Sequence, residues 1–210
     1  MTPNRQLSPG HGADRDEIPQ ADALRLWLSM LAGCEPPGGY LEVRKRLVGR
    51  DVRRYGFIPI DDLPAVVEVI HRLSGIGDVW VGVAPRRAQR GGLDAIAHVW
   101  CLWADADTHD ACEGIRAFTP EPTFVIRSGT DEHLHAYWAV DSPLTTDQAK
   151  RGNRRLAHHL GADLNACDGA RIMRPPGTSR KMIGAWQTSP SLQPVLPRRD
   201  AGRAHAQTLS

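Results

Sequence analysis

Cysteine is scarce in this 210-residue chain, and the four present, Cys34, Cys101, Cys112 and Cys167, show no Cys-x-x-Cys spacing. Neither a disulfide framework nor a zinc ribbon is supported, and a reduced cytoplasm is the expected setting. Long apolar runs are missing too. None reaches the roughly 18 residues that a membrane span needs, and residues 1–20 are polar, with Pro and Gly, rather than signal-like. No internal repeat or heptad pattern occurs. Aromatic residues make up only 6% of the chain, a thin stock for a surface that binds by stacking alone. The formal net charge is small, +2, but the cations are clustered: Arg44 to Arg54, Arg86 to Arg90, Arg151 to Arg155 and Arg171 to Lys181 form basic runs apart from the paired acids. Basic patches around a small acidic centre suit an anionic substrate that must also meet metal ions.

What is present is enough for one good core, or two small lobes sharing one: 41% of the residues are hydrophobic. Residues 1–19 read as a disordered arm, 20–188 as one globular domain and 189–210, rich in Pro, Arg, Ala and Ser, as a flexible tail. Leu24, Trp27, Leu28 and Leu31 make one apolar helix face over Ala21 to Leu31. After a Gly- and Pro-rich break, Tyr40 to Leu47 and Arg53 to Ile60 are expected to pair as strands. Asp62 and Pro64 open a helix through Leu73, with Val66, Val67 and Ile70 turned inward. Strands are expected at Asp78 to Ala84 and Val99 to Asp107, and a short helix over Thr108 to Phe118. A hairpin of Thr123 to Arg127 with Leu134 to Val140 comes next, then a helix from the capping box Thr145 to Gln148 through Leu160, closed by Gly161. The loop Pro85 to Gly92 is too polar for a core and reads as a solvated excursion or a phosphate-holding arm. The class is α/β (α+β).

Two segments carry chemistry. Residues two apart in a strand share a face, so Asp105 and Asp107 project together from the end of an apolar strand, which is how a rigid divalent-cation site is built. Without metal two such carboxylates repel, so replacing one is expected to raise stability slightly. On the second hairpin strand His135 lies on what reads as the less apolar face, with Tyr137 and Ala139. The other segment, Ala162 to Lys181, mixes Asp163 and Asp168 with Arg171, Arg174, Arg180, Lys181 and a Pro-Pro-Gly turn, a combination foreign to a core.

Taken together, Trp103-Ala-Asp105-Ala-Asp107, then Ser128-Gly129 through His135-Ala-Tyr137-Trp138, then Asp168-Gly-Ala-Arg171-Ile-Met-Arg174-Pro-Pro-Gly177-Thr178 resemble the three motifs of the archaeo-eukaryotic primase superfamily. The likeness is to its plasmid- and phage-type primase-polymerases and covers roughly Val79 to Lys181. It implies a two-lobed primase-polymerase core with an RRM-like, mostly antiparallel sheet flanked by helices. It further implies a nucleotidyltransferase that makes primers or DNA on a single-stranded DNA template from NTPs or dNTPs, in plasmid, phage or mobile-element replication. Asp105, Asp107 and Asp168 then match the metal-binding carboxylates, with Asp163 a rival to Asp168. Ser128, His135, Arg171, Arg174 and Lys181 match the nucleotide-binding set. Two departures stand out: the longer Ser128-Gly-Thr-Asp-Glu-His-Leu-His135 replaces a Ser-Gly-x-Gly-x-His pattern, and Arg180-Lys181 replaces Asn followed later by Lys.

An all-oxygen ligand set calls for Mg²⁺ or Mn²⁺, and two such ions about 3.5–4 Å apart clamp the attacking and leaving oxygens of nucleotidyl transfer. No helicase P-loop is present, so unwinding falls to a separate helicase or replication initiator. Two other readings compete. His133-Leu-His135 matches the His-hydrophobe-His pair of replication-initiator and relaxase nucleases, but the helix over Thr145 to Leu160 holds no nucleophilic tyrosine, and the only tyrosines are Tyr40, Tyr55 and Tyr137. A non-catalytic single-stranded DNA-binding module leaves the carboxylates without a purpose.

Overall fold

Two four-stranded antiparallel sheets share one apolar core in this computed structural model, which describes residues 20–33, 39–128, 133–178 and 185–187. The expected arm over 1–19, the tail over 189–210, the turn residues 129–132 and Lys181 lie outside the described residues. In chain order the elements are α1 (Gln20–Ala32), β1 (Tyr40–Leu47), β2 (Arg53–Pro59), α2 (Leu63–Ser74), β3 (Gly77–Gly82), β4 (Val99–Ala106), α3 (His109–Ala117), β5 (Phe124–Arg127), β6 (Leu134–Leu144), α4 (Thr146–Leu160), β7 (Ile172–Met173) and β8 (Ala185–Gln187). The first sheet runs β2-β1-β3-β7 and the second β4-β6-β5-β8.

Local chemistry sets most boundaries. Asp62 accepts from the Ala65 N–H at 3.1 Å to start α2, and Thr108 does the same for Ala111 at 3.2 Å to start α3. Thr145 and Gln148 close a reciprocal capping box on α4, and Gly161, at φ +67°, ends that helix in the left-handed region. On α1 the four residues of the expected apolar face, Leu24, Trp27, Leu28 and Leu31, are fully buried. With Val66, Val67, Ile70 and Leu73 of α2 they pack against Leu41, Val43, Val79 and Val81 of the first sheet and Cys101, Trp103, Phe124 and Tyr137 of the second. A second cluster joins Ala104, Ala106, Leu134, Ala136 and Trp138 to Ala111, Cys112 and Ile115 of α3 and Leu160 of α4. The second sheet is thus covered on both faces. Tyr137 is wholly buried, edge-on to Trp27 with ring centroids 5.9 Å apart, so the His135 face of β6, though the less apolar, is as buried as its other face. Each large side chain so buried contributes about 1.5–3 kcal/mol of transfer free energy.

The Pro85–Gly92 loop departs most from expectation. Arg86 is fully buried, its Nη2 3.1 Å from Glu42 Oε2 on β1, and its main chain exchanges hydrogen bonds with Tyr40 at 2.7 and 2.8 Å. Glu42, also fully buried, further meets Arg44 at 2.9 Å and Arg54 at 3.1 Å. The part of the loop at Arg86 is therefore an internal strut, neither solvated nor placed to hold phosphate.

Candidate active site

The end of β4 opens on a cleft lined by residues of both sheets. Along β4 the odd-numbered residues Cys101, Trp103 and Asp105 follow one face, and the antiparallel register sets Trp103 against Tyr137 and Asp105 against His135. Asp105 is 7% exposed. Its Oδ1 lies 3.3 Å from His135 Nε2, and its Oδ2 accepts from Arg171 Nη2, also at 3.3 Å. Burial by itself would raise the Asp105 carboxyl pKa, but His135 and Arg171 outweigh it and hold the group below the usual carboxylate range. Asp107, one step further out, is more exposed and sits 2.8 Å from His133 Nδ1.

The Asp163–Arg174 segment is lashed onto this strand end. The Asp163 N–H donates to the Asp105 carbonyl at 2.8 Å, and the Trp103 indole donates to the Ala166 carbonyl at 2.6 Å. Buried Asn153 of α4 accepts from the Trp103 N–H at 2.9 Å and donates to the Cys167 carbonyl at 3.3 Å. Asn153→Ala leaves both main-chain groups without these partners, so a loss of about 1–3 kcal/mol in unfolding free energy is expected by denaturant titration. An unchanged midpoint would show that the lashing carries no weight. Pairing of β7 with β3, Val81 to Met173, then sets Arg171 and Arg174 on the lip opposite the acids.

The result is a cleft of about 290 Å³ that brings together Asp105, Asp107, Ser128, His135, Arg171 and Arg174. Six of the eight site residues expected from sequence thus share one wall or another of it. Asp168 is not among its lining residues; its carboxylate accepts from the Ala170 N–H at 2.9 Å inside its own turn. The rival acid, Asp163, does not line the cleft either, but its Oδ2 lies 3.6 Å from the same Arg171 Nη2 that holds Asp105. Arg174 is held at 2.8 Å by Asp78 and lies over Trp80, 4.8 Å from the ring centroid. Lys181 lies outside the described residues. Trp80 and His133 also line the cleft, and sequence reasoning gave neither a part in the expected activity. For His133 a signal was available: it stands two residues from His135, the same spacing as the two acids.

Among the described residues no group of three or more His, Cys, Asp or Glu is placed to hold a metal ion. The donor set still suits a hard cation. Mg²⁺ is commonly held by one or two carboxylates, with water and substrate phosphates completing the shell, and Asp105 and Asp107 are two carboxylates on one cleft.

No protein-family model matches the sequence, and a search of curated proteins returned no match. Solved structures do match. The primase-polymerase (PrimPol) AEP domain of cyanophage S-2L is 19% identical at a TM-score of 0.58, over 80% of this chain and 89% of that one. Primase RepB′ is 13% identical at 0.55, over 81% of this chain but only 56% of its own. The catalytic domain of primase RepB′ in complex with initiator DNA is 15% identical at 0.55, over 81% and 84%. These likenesses, joined to the two antiparallel sheets and their helices, give the chain an archaeo-eukaryotic primase-type fold.

Proposed function

We propose that the chain is a metal-dependent nucleotidyltransferase, a primase-polymerase that joins nucleotides on a single-stranded DNA template. The observation that carries the reading is the convergence of Asp105, Asp107, His135 and Arg171 on one cleft of a primase-type fold. Mg²⁺ or Mn²⁺ held by Asp105 and Asp107, with Asp168 or Asp163 as third carboxylate, would supply the positive charge that stabilises the attacking and leaving oxygens. Arg171 and His135 keep Asp105 ionised, the state that a cation requires. Ser128, His135, Arg171, Arg174 and Lys181 would receive the triphosphate, the arginines as planar donors to its oxygens. NTPs or dNTPs are the substrates, and a separate helicase or replication initiator opens the template. A cytoplasmic setting accords with the free thiols of Cys101 and Cys167. No helix among the described residues is long and apolar enough to cross a membrane.

The test is template-dependent incorporation of labelled nucleotides, with and without a primer, with Mg²⁺, Mn²⁺ or chelator. Incorporation that persists unchanged in chelator rejects the metal-dependent reading. His135→Ala is expected to raise the apparent KM for nucleotide about ten-fold or more, because the contact is made to charge already present in the ground state. An unchanged KM for every nucleotide would make His135 structural.

The nicking-nuclease alternative meets a physical obstacle. None of Tyr40, Tyr55 and Tyr137 lines the cleft. Burial pushes the Tyr137 hydroxyl well above its ordinary pKa, and its oxygen has no hydrogen-bond partner among the described residues. Tyr137→Phe is therefore expected to retain full nucleotide incorporation and to melt no lower than wild type, since it removes an unsatisfied buried hydroxyl. A covalent adduct with single-stranded DNA that vanishes in Tyr137→Phe would instead establish the nuclease.

A further inference from the structure

The first sheet has one face on the core and one that no helix among the described residues covers. Register fixes which side chains the uncovered face carries: Arg44 lies opposite Arg54 and Trp80, and Arg46 opposite Asp78. Arg174, beyond the end of β7, joins them by reaching Asp78 at 2.8 Å. On this face the arginines outnumber the acids, and the acids organise them rather than cancel them. Glu42 gathers Arg44 and Arg54 besides buried Arg86, and Asp78 gathers Arg46 and Arg174. Arg46 and Arg174 further lie over Trp80, 5.4 and 4.8 Å from the ring centroid. The guanidinium groups are thereby fixed in place yet still reach solvent, with side-chain exposures of 33% for Arg44, 45% for Arg46 and 48% for Arg54. Trp80 and Arg174 also line the cleft that holds Asp105, so the cationic face runs without interruption into the catalytic site.

We propose that this open face of the first sheet, from Arg54 and Arg44 through Arg46 and Trp80 to Arg174, is the track along which the single-stranded template enters the cleft. The proposal rests on the polymerase reading and adds where the template lies. An exposed sheet face suits a single strand, whose phosphates can follow a row of fixed cations while its bases splay over aromatic side chains. Fixed guanidiniums also lose little side-chain freedom when phosphate arrives.

The experiment measures binding of a fluorescein-labelled oligo-dT to the full chain by anisotropy across a salt series, with triphosphate binding and primer extension read separately. Arg44→Gln, Arg46→Gln keeps the stems and leaves Glu42 with Arg54 and Arg86, and Asp78 with Arg174. The expected result is about ten-fold weaker oligo-dT binding at low salt and unchanged triphosphate binding. The slope of log K against log[salt] should fall by about 1.4, at about 0.7 per lost phosphate contact on a single strand. Should the pair disturb folding, Arg46→Gln alone is expected to lower the slope by about 0.7. The control Lys150→Gln, Arg151→Gln, on the solvent side of α4, should leave the slope where it was. Wild-type affinity and slope in the sheet variants, a slope that falls in the α4 variant instead, or equal competition by a duplex of the same length would each overturn the track. If wild-type protein binds oligo-dT through this face yet extends no primer under any metal, the polymerase reading fails and the binding face stands.

Discussion

Asp105→Ala and Asp107→Ala should each lower nucleotide incorporation by about three orders of magnitude or more, equivalent to roughly 4 kcal/mol or more of lost transition-state stabilisation, yet they should part company in stability. Repulsion between neighbouring carboxylates, taken by itself, would have either variant melt slightly higher. The structure gives Asp105 cationic surroundings instead. Its carboxylate touches His135 and Arg171 and is held below the ordinary carboxylate range, so the folded protein favours its charge. Removing it strips a partner from two half-buried or buried groups and should cost about 1–2 kcal/mol, a drop of a few degrees in Tm for a chain of this size. The Asp107 side chain is 56% exposed and meets only His133 among the described polar contacts, so its removal should stay within about 0.5 kcal/mol of wild type. Calorimetry beside the incorporation assay separates the two effects. Near-wild-type synthesis by the double variant would end the metal assignment, and equal melting of the two single variants would end the account of Asp105.

The alternation that exposed the acids in the sequence is the same alternation that the structure uses. Trp103 and Asp105 share a face because the strand period is 2, and no tertiary knowledge is needed to see it. Helix ends at Asp62, Thr108, Thr145 and Gly161 were equally legible, since each is a local hydrogen-bonding arrangement. What escaped was non-local. Nothing near Arg86 says that a carboxylate 44 residues earlier will meet it in the core, so an arginine in a loop of Arg, Gln and Gly reads as solvated. The pairing of Ala185–Gln187 with β5 escaped for a similar reason, because three residues carry too short a period to stand out. Asp168 and Asp163 could not be ranked from spacing, for both belong to one dense segment. Their separation depends on how Trp103 and Asn153 draw that segment against β4.

Glu42→Ala should be strongly destabilising, at about 3–5 kcal/mol, or roughly 6–20 °C in Tm. Glu42 is fully buried, and it is the only side chain described as pairing with Arg86, which is itself fully buried and whose pKa burial pushes below its ordinary value. Deleting the carboxylate leaves that guanidinium charged in the core. Arg86→Ala should cost less, because Glu42 keeps Arg44 and Arg54. The same strut has a pH signature. Burial would raise the Glu42 carboxyl, but Arg44, Arg54 and Arg86 outweigh it and lower its folded pKa below 4.5. The stabilisation is therefore complete above the unfolded value, near 4.5, and is lost as pH falls through the lower folded value. Glu42→Gln should accordingly show a shallower acid limb than wild type, measured as Tm against pH from 6 to 3. A steeper limb would contradict the assignment. Replacing both partners, Glu42→Leu with Arg86→Met, should recover much of the lost stability, as buried pairs exchanged for apolar side chains often do. Activity need not return with it. Arg86 also donates to the Gly169 carbonyl at 3.3 Å, two residues before Arg171, so the double variant should fold well and still bind triphosphate more weakly than wild type. Full recovery of both would mean that the strut serves the fold alone.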